Sequence, residues 1–125
     1  MKRFALLLTL ALGACTTVPP ASAGTTAGLG QVAKAGGVTI RPIQVIEDSR
    51  CPTDVVCVWA GRLVLLAEVS YRGGSEEYRG NLTLGEPMVL GPETVTLVAA
   101  EPAPVAGRKV DPGTYRFTFA YSRLG

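Results

Sequence analysis

Apolar and polar positions alternate along most of this chain, in short bursts separated by Gly and Pro. From Arg62 to Arg72 one face collects Leu63, Leu65, Ala67, Val69 and Tyr71, and the other holds Arg62, Val64, Leu66, Glu68, Ser70 and Arg72. A period of two is the side-chain repeat of an extended strand, so this is the clearest strand of the chain. Gly73-Gly74 suits a tight hairpin, and Glu76 to Leu84 returns with Tyr78, Leu82 and Leu84 on one side. Upstream, Gln31-Val32-Ala33 predicts a short first strand, turned by Gly36-Gly37 into V-T-I-R-P-I-Q-V-I, where Pro42 lacks a ladder donor and marks an edge or a bulge. Met88-Val89-Leu90 and Thr94 to Ala99 predict two further strands around Gly91-Pro92. A surface loop opens at Pro102 and Pro104 and closes at the turn signal Asp111-Pro112-Gly113. The last strand, Y-R-F-T-F-A-Y-S, sets Tyr115, Phe117, Phe119 and Tyr121 on one wholly aromatic face that belongs in a core.

No helical period interrupts this pattern after the N-terminus. Six to eight short strands in about ninety-five residues predict an all-β fold, an antiparallel sandwich or small barrel, as one domain over residues 28–125. Such a domain has a limited core, and a covalent staple adds usefully to it.

The first residues follow different rules. Met1-Lys2-Arg3 is a basic start, and Phe4 to Leu12 is an apolar run broken only by Thr9. That is the form of a secretory signal, too short for a stable membrane span. Leu12-Gly13-Ala14-Cys15 resembles the bacterial lipoprotein signal, the lipobox. The resemblance implies a signal peptide over 1–14, cleavage before Cys15, and acylation of the Cys15 thiol and often of the new amine. Several acyl chains make a firm membrane anchor where one does not. The alternative, cleavage after Ala21-Ser22-Ala23, would discard Cys15 and leave a long polar gap behind the apolar run. Residues 15–27, small, Pro-containing and uncharged, read as a tether with a root-mean-square reach of roughly 20 Å, which keeps the domain near the bilayer. Thr16 after Cys15 lacks the aspartate linked with inner-membrane retention, which favours the outer membrane if the envelope is Gram-negative.

Loss of the signal changes the charge. The chain holds twelve Lys and Arg against ten Asp and Glu, and departure of Lys2 and Arg3 leaves ten of each. A neutral domain has no electrostatic footprint for nucleic acid, so that partner class is not expected.

Candidate chemistry gathers in E-D-S-R-C-P-T-D-V-V-C-V-W-A-G, residues 47–61. With Cys15 committed to lipid, Cys51 and Cys57 form an even pair in an oxidising compartment, and Cys51-Pro52-Thr53-Asp54 fits a turn that folds one toward the other. A disulfide closing seven residues adds about 2.4 kcal/mol by loop-closure entropy. Asp48 and Ser49 are expected to cap a turn, Arg50 to pair with Glu47 or Asp48, Trp59 to pack on the disulfide, and Gly61 to supply a backbone angle other residues resist. The functional alternative presents Asp48, Arg50, Trp59 and Arg62 to a partner, because Trp and Arg are typical contact anchors and a constrained loop loses little entropy on binding.

Asp48-Ser49-Arg50-Cys51-Pro52, Val55, Cys57 and Val58-Trp59-Ala60-Gly61 together resemble the signature of a family of small bacterial exported proteins and lipoproteins. The likeness extends more loosely to the Leu29 region, the strand from Arg62 and the closing Y-R-F-T-F. It implies a β-domain with one disulfide, facing the periplasm or cell surface, and supplies no catalytic residues.

Catalysis and metal binding find little material. Absence of His excludes Ser-His-Asp and Cys-His arrangements. Glu76 and Glu77 are adjacent on a strand, so they face opposite sides and cannot flank one bond. Two thiols with Asp48 or Asp54 make a poor zinc shell, and no cofactor motif is present. The expectation is a non-catalytic, lipid-anchored envelope domain with an envelope protein partner. A hydrolase inhibitor using loop 48–61 with Arg50 as the plug is the alternative, and an envelope redox or metal-handling protein comes third.

Overall fold

Each alternating burst becomes a strand because one face can then be buried while every main-chain group finds a ladder partner. The computed structural model describes residues 25–124 together with Gly13. Its strands are β1 (Thr25–Ala27), β2 (Ala33–Ala35), β3 (Val38–Asp48), β4 (Leu63–Tyr71), β5 (Glu76–Thr83), β6 (Pro87–Leu90), β7 (Glu93–Glu101) and β8 (Arg116–Arg123). They form two antiparallel sheets, ordered β1-β8-β7-β6 and β2-β3-β4-β5. The all-β architecture read from the alternation is correct.

The core lies between the inner faces. Ile40, Leu65 and Val69 of one sheet and Leu97, Phe117 and Phe119 of the other are at most 1% exposed. Burial of each such side chain contributes roughly 1.5–3 kcal/mol. The inner face expected for β4 is correct, with Leu63, Leu65, Ala67 and Val69 buried and Tyr71 packed at its margin. On β5 only Leu82 is buried, because β5 lies at the sheet edge and Tyr78 folds over Gly80 instead. A Cβ at Gly80 would lie 2.3 Å from the Tyr78 hydroxyl, so the ring fills the space a side chain would take.

Two boundaries differ from the sequence pattern. Thr25–Ala27, expected in the tether, pairs with Phe119, Thr118 and Phe117 of β8, and Ala27 is buried. Three residues give too short a pattern to predict a strand, and what orders them is pairing with the edge of the aromatic strand. The second strand begins at Ala33 rather than Gln31, because Gln31 is held in a turn: its N–H donates to Gly28 O at 3.1 Å and its Oε1 accepts the Gly28 N–H at 2.9 Å. Pro42, by contrast, marks a bulge as its missing ladder donor implies: the register of β3 against β4 shifts between Pro42 and Gln44. The signal peptide 1–14 (Gly13 apart), the lipidation residue Cys15 and the tether up to Gly24 lie outside the described residues.

β3 runs the length of the sandwich, roughly 30–36 Å for eleven residues. One pole holds the Gly36-Gly37 turn and the entry of the chain at Thr25, whose Oγ1 donates to Lys34 O at 2.7 Å. The opposite pole holds the segment between β3 and β4, which contains the cysteine pair.

Candidate functional site

Loop 49–62 begins as a continuation of the β3–β4 ladder. Ser49 N–H donates to Arg62 O at 2.8 Å, and Ser49 Oγ accepts the Arg62 N–H at 3.1 Å. Gly61 is required beside this pair for space, not for an unusual backbone angle: a Cβ there would lie 1.5 Å from Ser49 O. The expected conformational role of Gly61 is thus replaced by a close main-chain approach. Cys51 and Cys57 are joined by a disulfide, with Cα atoms 5.9 Å apart. Within that ring the turn at Pro52 closes through Val55 N–H to Pro52 O at 3.3 Å.

The base of the loop is clasped to the segment between β7 and β8. Thr53 N–H donates to Pro104 O at 3.1 Å, and Asp54 Oδ1 accepts the Ala106 N–H at 2.9 Å. Arg50 reaches the last residues of β7 and the start of that segment, donating to Ala100 O at 2.7 Å and Pro102 O at 3.0 Å. Its remaining donors grip Asp48 in a fork, Nε to Oδ1 at 2.8 Å and Nη2 to Oδ2 at 2.9 Å. The Tyr115 hydroxyl completes the group by donating to Asp48 Oδ2 at 2.7 Å, so a residue leading into β8 is bonded to the end of β3 in the other sheet.

These contacts set the electrostatics. Asp48 is held below its ordinary 3.8 chiefly by the hydrogen bond from Arg50, assisted by Tyr115 and opposed by burial. The Arg50 guanidinium is pushed up by the same carboxylate. Tyr115 is pushed up to about 12, first by burial and then by the carboxylate that accepts its hydrogen bond. The three side chains form one neutral-plus-ion-pair unit, with Arg50 and Asp48 side chains only 14% and 11% exposed.

The four candidate binding residues therefore separate. Asp48 and Arg50 are turned inward, with their polar atoms engaged by each other, by Tyr115 and by the Ala100 and Pro102 carbonyls. Arg62 lies at the rim, its Nε 2.7 Å from Glu47 Oε2 with both side chains exposed, a geometry that contributes little to stability. Trp59 is not the buried anchor expected over the disulfide; it is 76% exposed, beside Val58 at 92% and Val56 at 101%. The loop, covalently closed and hydrogen-bonded at its base, turns these apolar side chains to solvent.

A second buried carboxylate escaped the sequence pattern. Glu93, 4% exposed, accepts from the Tyr121 hydroxyl at 3.0 Å and from the Arg72 N–H at 3.3 Å. It ties the start of β7 to the β4–β5 turn, where Arg72 adopts a left-handed φ of 53°. The two end tyrosines of the aromatic strand thus each close one pole of the sandwich through a carboxylate. The only signal was their position at the ends of the apolar repeat, where a phenol needs a partner.

Among the described residues no three His, Cys, Asp or Glu side chains gather as metal ligands. No protein-family model, curated protein sequence or solved structure matches this chain. Fold and loop together define a disulfide-clasped β-sandwich with an apolar apex at one pole.

Proposed function

We propose that this protein is a non-catalytic, lipid-anchored domain of the bacterial cell envelope that binds a protein partner through the apex of loop 51–61. The observation that carries the proposal is the exposure of Val56, Val58 and Trp59 on a loop whose base is fixed by the Cys51–Cys57 disulfide and by the hydrogen bonds of Thr53 and Asp54. Clustered apolar side chains including a Trp are unusual on a small neutral domain unless something covers them. A loop already ordered before contact forfeits little entropy on binding.

The lipobox-like Leu12-Gly13-Ala14-Cys15 supports anchoring, and the topology suits it. An anchor at Cys15 would hold the domain through Thr25, at the pole opposite the apex, so the apolar residues would face away from the anchoring membrane. The likeness of residues 48–61 to small exported bacterial proteins supports the envelope setting.

Two measurements test the proposal. Cys15→Ser should release the protein from the membrane fraction and remove the lipid mass from the N-terminal peptide. In crosslinked native membranes, Trp59→Ser should lose a protein adduct that the parent chain forms, with thermal unfolding unchanged because Trp59 contributes little burial. An adduct that persists in Trp59→Ser would remove the loop apex as the binding surface.

A further inference from the structure

The free edge of β5 has a charge pattern that the loop apex does not use. Among the described residues, β5 is the outermost strand of its sheet and pairs only with β4. Residues Glu76 to Arg79 are all exposed. In an antiparallel ladder, residues that bond to one neighbour alternate with residues that turn their N–H and C=O the other way. Leu84 N–H bonds to Leu63 O at 2.9 Å, directly after the pair Val64–Thr83, and this fixes the phase. Glu76, Tyr78, Gly80 and Leu82 bond toward β4; Glu77, Arg79, Asn81 and Thr83 direct their main-chain groups to the open edge. The Ser49–Arg62 bond gives the same phase from the other side of β4, where even-numbered residues bond toward β3.

The outer face of this sheet has an alternating row of charge. Arg41 pairs in register with Glu68, and Glu68 with Arg79, whose Nη1 lies 2.7 Å from Glu68 Oε1. The adjacent row is Thr39, Ser70 and Glu77. The first row ends on a cation at the open edge and the second on an anion, two residues apart on one strand.

We propose that β5 pairs antiparallel with β5 of a second copy of this chain, centred on Tyr78, so that Glu77 of each copy lies opposite Arg79 of the other. The two sheets then become one continuous eight-stranded sheet across a two-fold axis, an isologous interface. The phase sets odd-numbered residues against odd-numbered ones. Pairing centred on Glu77 or on Arg79 would put like charges directly opposite, which is destabilising. Pairing centred on Gly80 would face the charges with Asn81 and Thr83. Only the Tyr78-centred register extends Arg41–Glu68–Arg79 with an acid, twice over. Charged residues on edge strands commonly prevent pairing; here they exclude the neighbouring registers and favour this one. Tyr78, 39% exposed at the sheet margin, meets its own copy where side chains approach most closely, with Cα atoms roughly 4.5 Å apart.

That approach provides the test on the full chain. Tyr78→Cys under mild oxidation should give a disulfide-linked dimer well above the parent chain, and Glu76→Cys, which would face Gly80, should not. Adding Glu77→Arg or Arg79→Glu to the Tyr78→Cys chain should lower the dimer yield by about tenfold or more, since two attractions become repulsions. Mixing the two charge-reversed chains should restore a heterodimer, identified by mass. Sedimentation equilibrium of the parent against Glu77→Arg, a substitution at an exposed site, reads the same association without a new cysteine and should shift toward monomer. The proposal is overturned by equal crosslinking at residues 76 and 78, by indifference to charge reversal, by failure of the mixture to pair, or by capture of a different protein in place of a second copy.

Discussion

Arg50→Met removes the guanidinium while keeping most of the apolar stem, and the structure sets its consequence. Four hydrogen bonds vanish: two to Asp48, one to Ala100 O and one to Pro102 O. Asp48, 11% exposed in its side chain, is left with the Tyr115 hydroxyl as its side-chain partner. A hydrogen bond to a charged group contributes about 1.5–3 kcal/mol, and stranding one member of a buried pair costs about 3–5 kcal/mol. Because some exposure remains for both groups, the expected loss is about 3 kcal/mol, a large part of a small domain's stability. In thermal unfolding this corresponds to a fall of about 12–24 °C. Denaturant titration of Arg50→Met, Asp48→Asn and the double variant should return a coupling of about 1.5–3 kcal/mol. A loss below about 1 kcal/mol with no coupling is the behaviour of an ordinary surface pair and would refute the assignment of Asp48 and Arg50 to the framework.

Three further outcomes follow from the same geometry. Since the folded-state value of Asp48 is depressed, its contribution is present above pH 3.8 and is lost as pH falls through the lower folded value, whereas the raised Tyr115 contributes fully below pH 10 and loses stability as pH rises toward about 12; denaturation midpoints across pH should fall at both ends, and Arg50→Met should flatten the acid limb. Gly61→Ala drives a methyl into Ser49 O and should cost about 2 kcal/mol or more, measured by calorimetry, with a normal melting curve as the refuting result. Reduction of Cys51–Cys57 should lower stability by about 2 kcal/mol and increase hydrogen exchange at Thr53 and Ala106, whose N–H bonds clasp the loop; unchanged exchange there would show that the clasp holds without the covalent bond.

The alternation along the chain was sufficient to determine the strands that build the core. Leu63 to Val69 and Tyr115 to Phe119 are buried where a period of two puts them, because a half-buried strand has no other way to hide one face. The Cys51–Cys57 pairing was legible for a similar reason: local chain chemistry and the cysteine count nearly define it. The ordering of Thr25–Ala27 was not legible, since its three small residues form a strand only because β8 offers an open edge 90 residues later. The same holds for the division within residues 48–62. Sequence spacing puts Asp48, Arg50, Trp59 and Arg62 in one stretch, but only the arrival of Tyr115 and of the 100–102 carbonyls from the other sheet turns Arg50 inward and leaves Trp59 outside. Hydrophobic period is a property of neighbours along the chain and is written there; the choice between framework and surface depends on which distant donors and acceptors come within 3 Å, and that is decided by the packing of one sheet on the other.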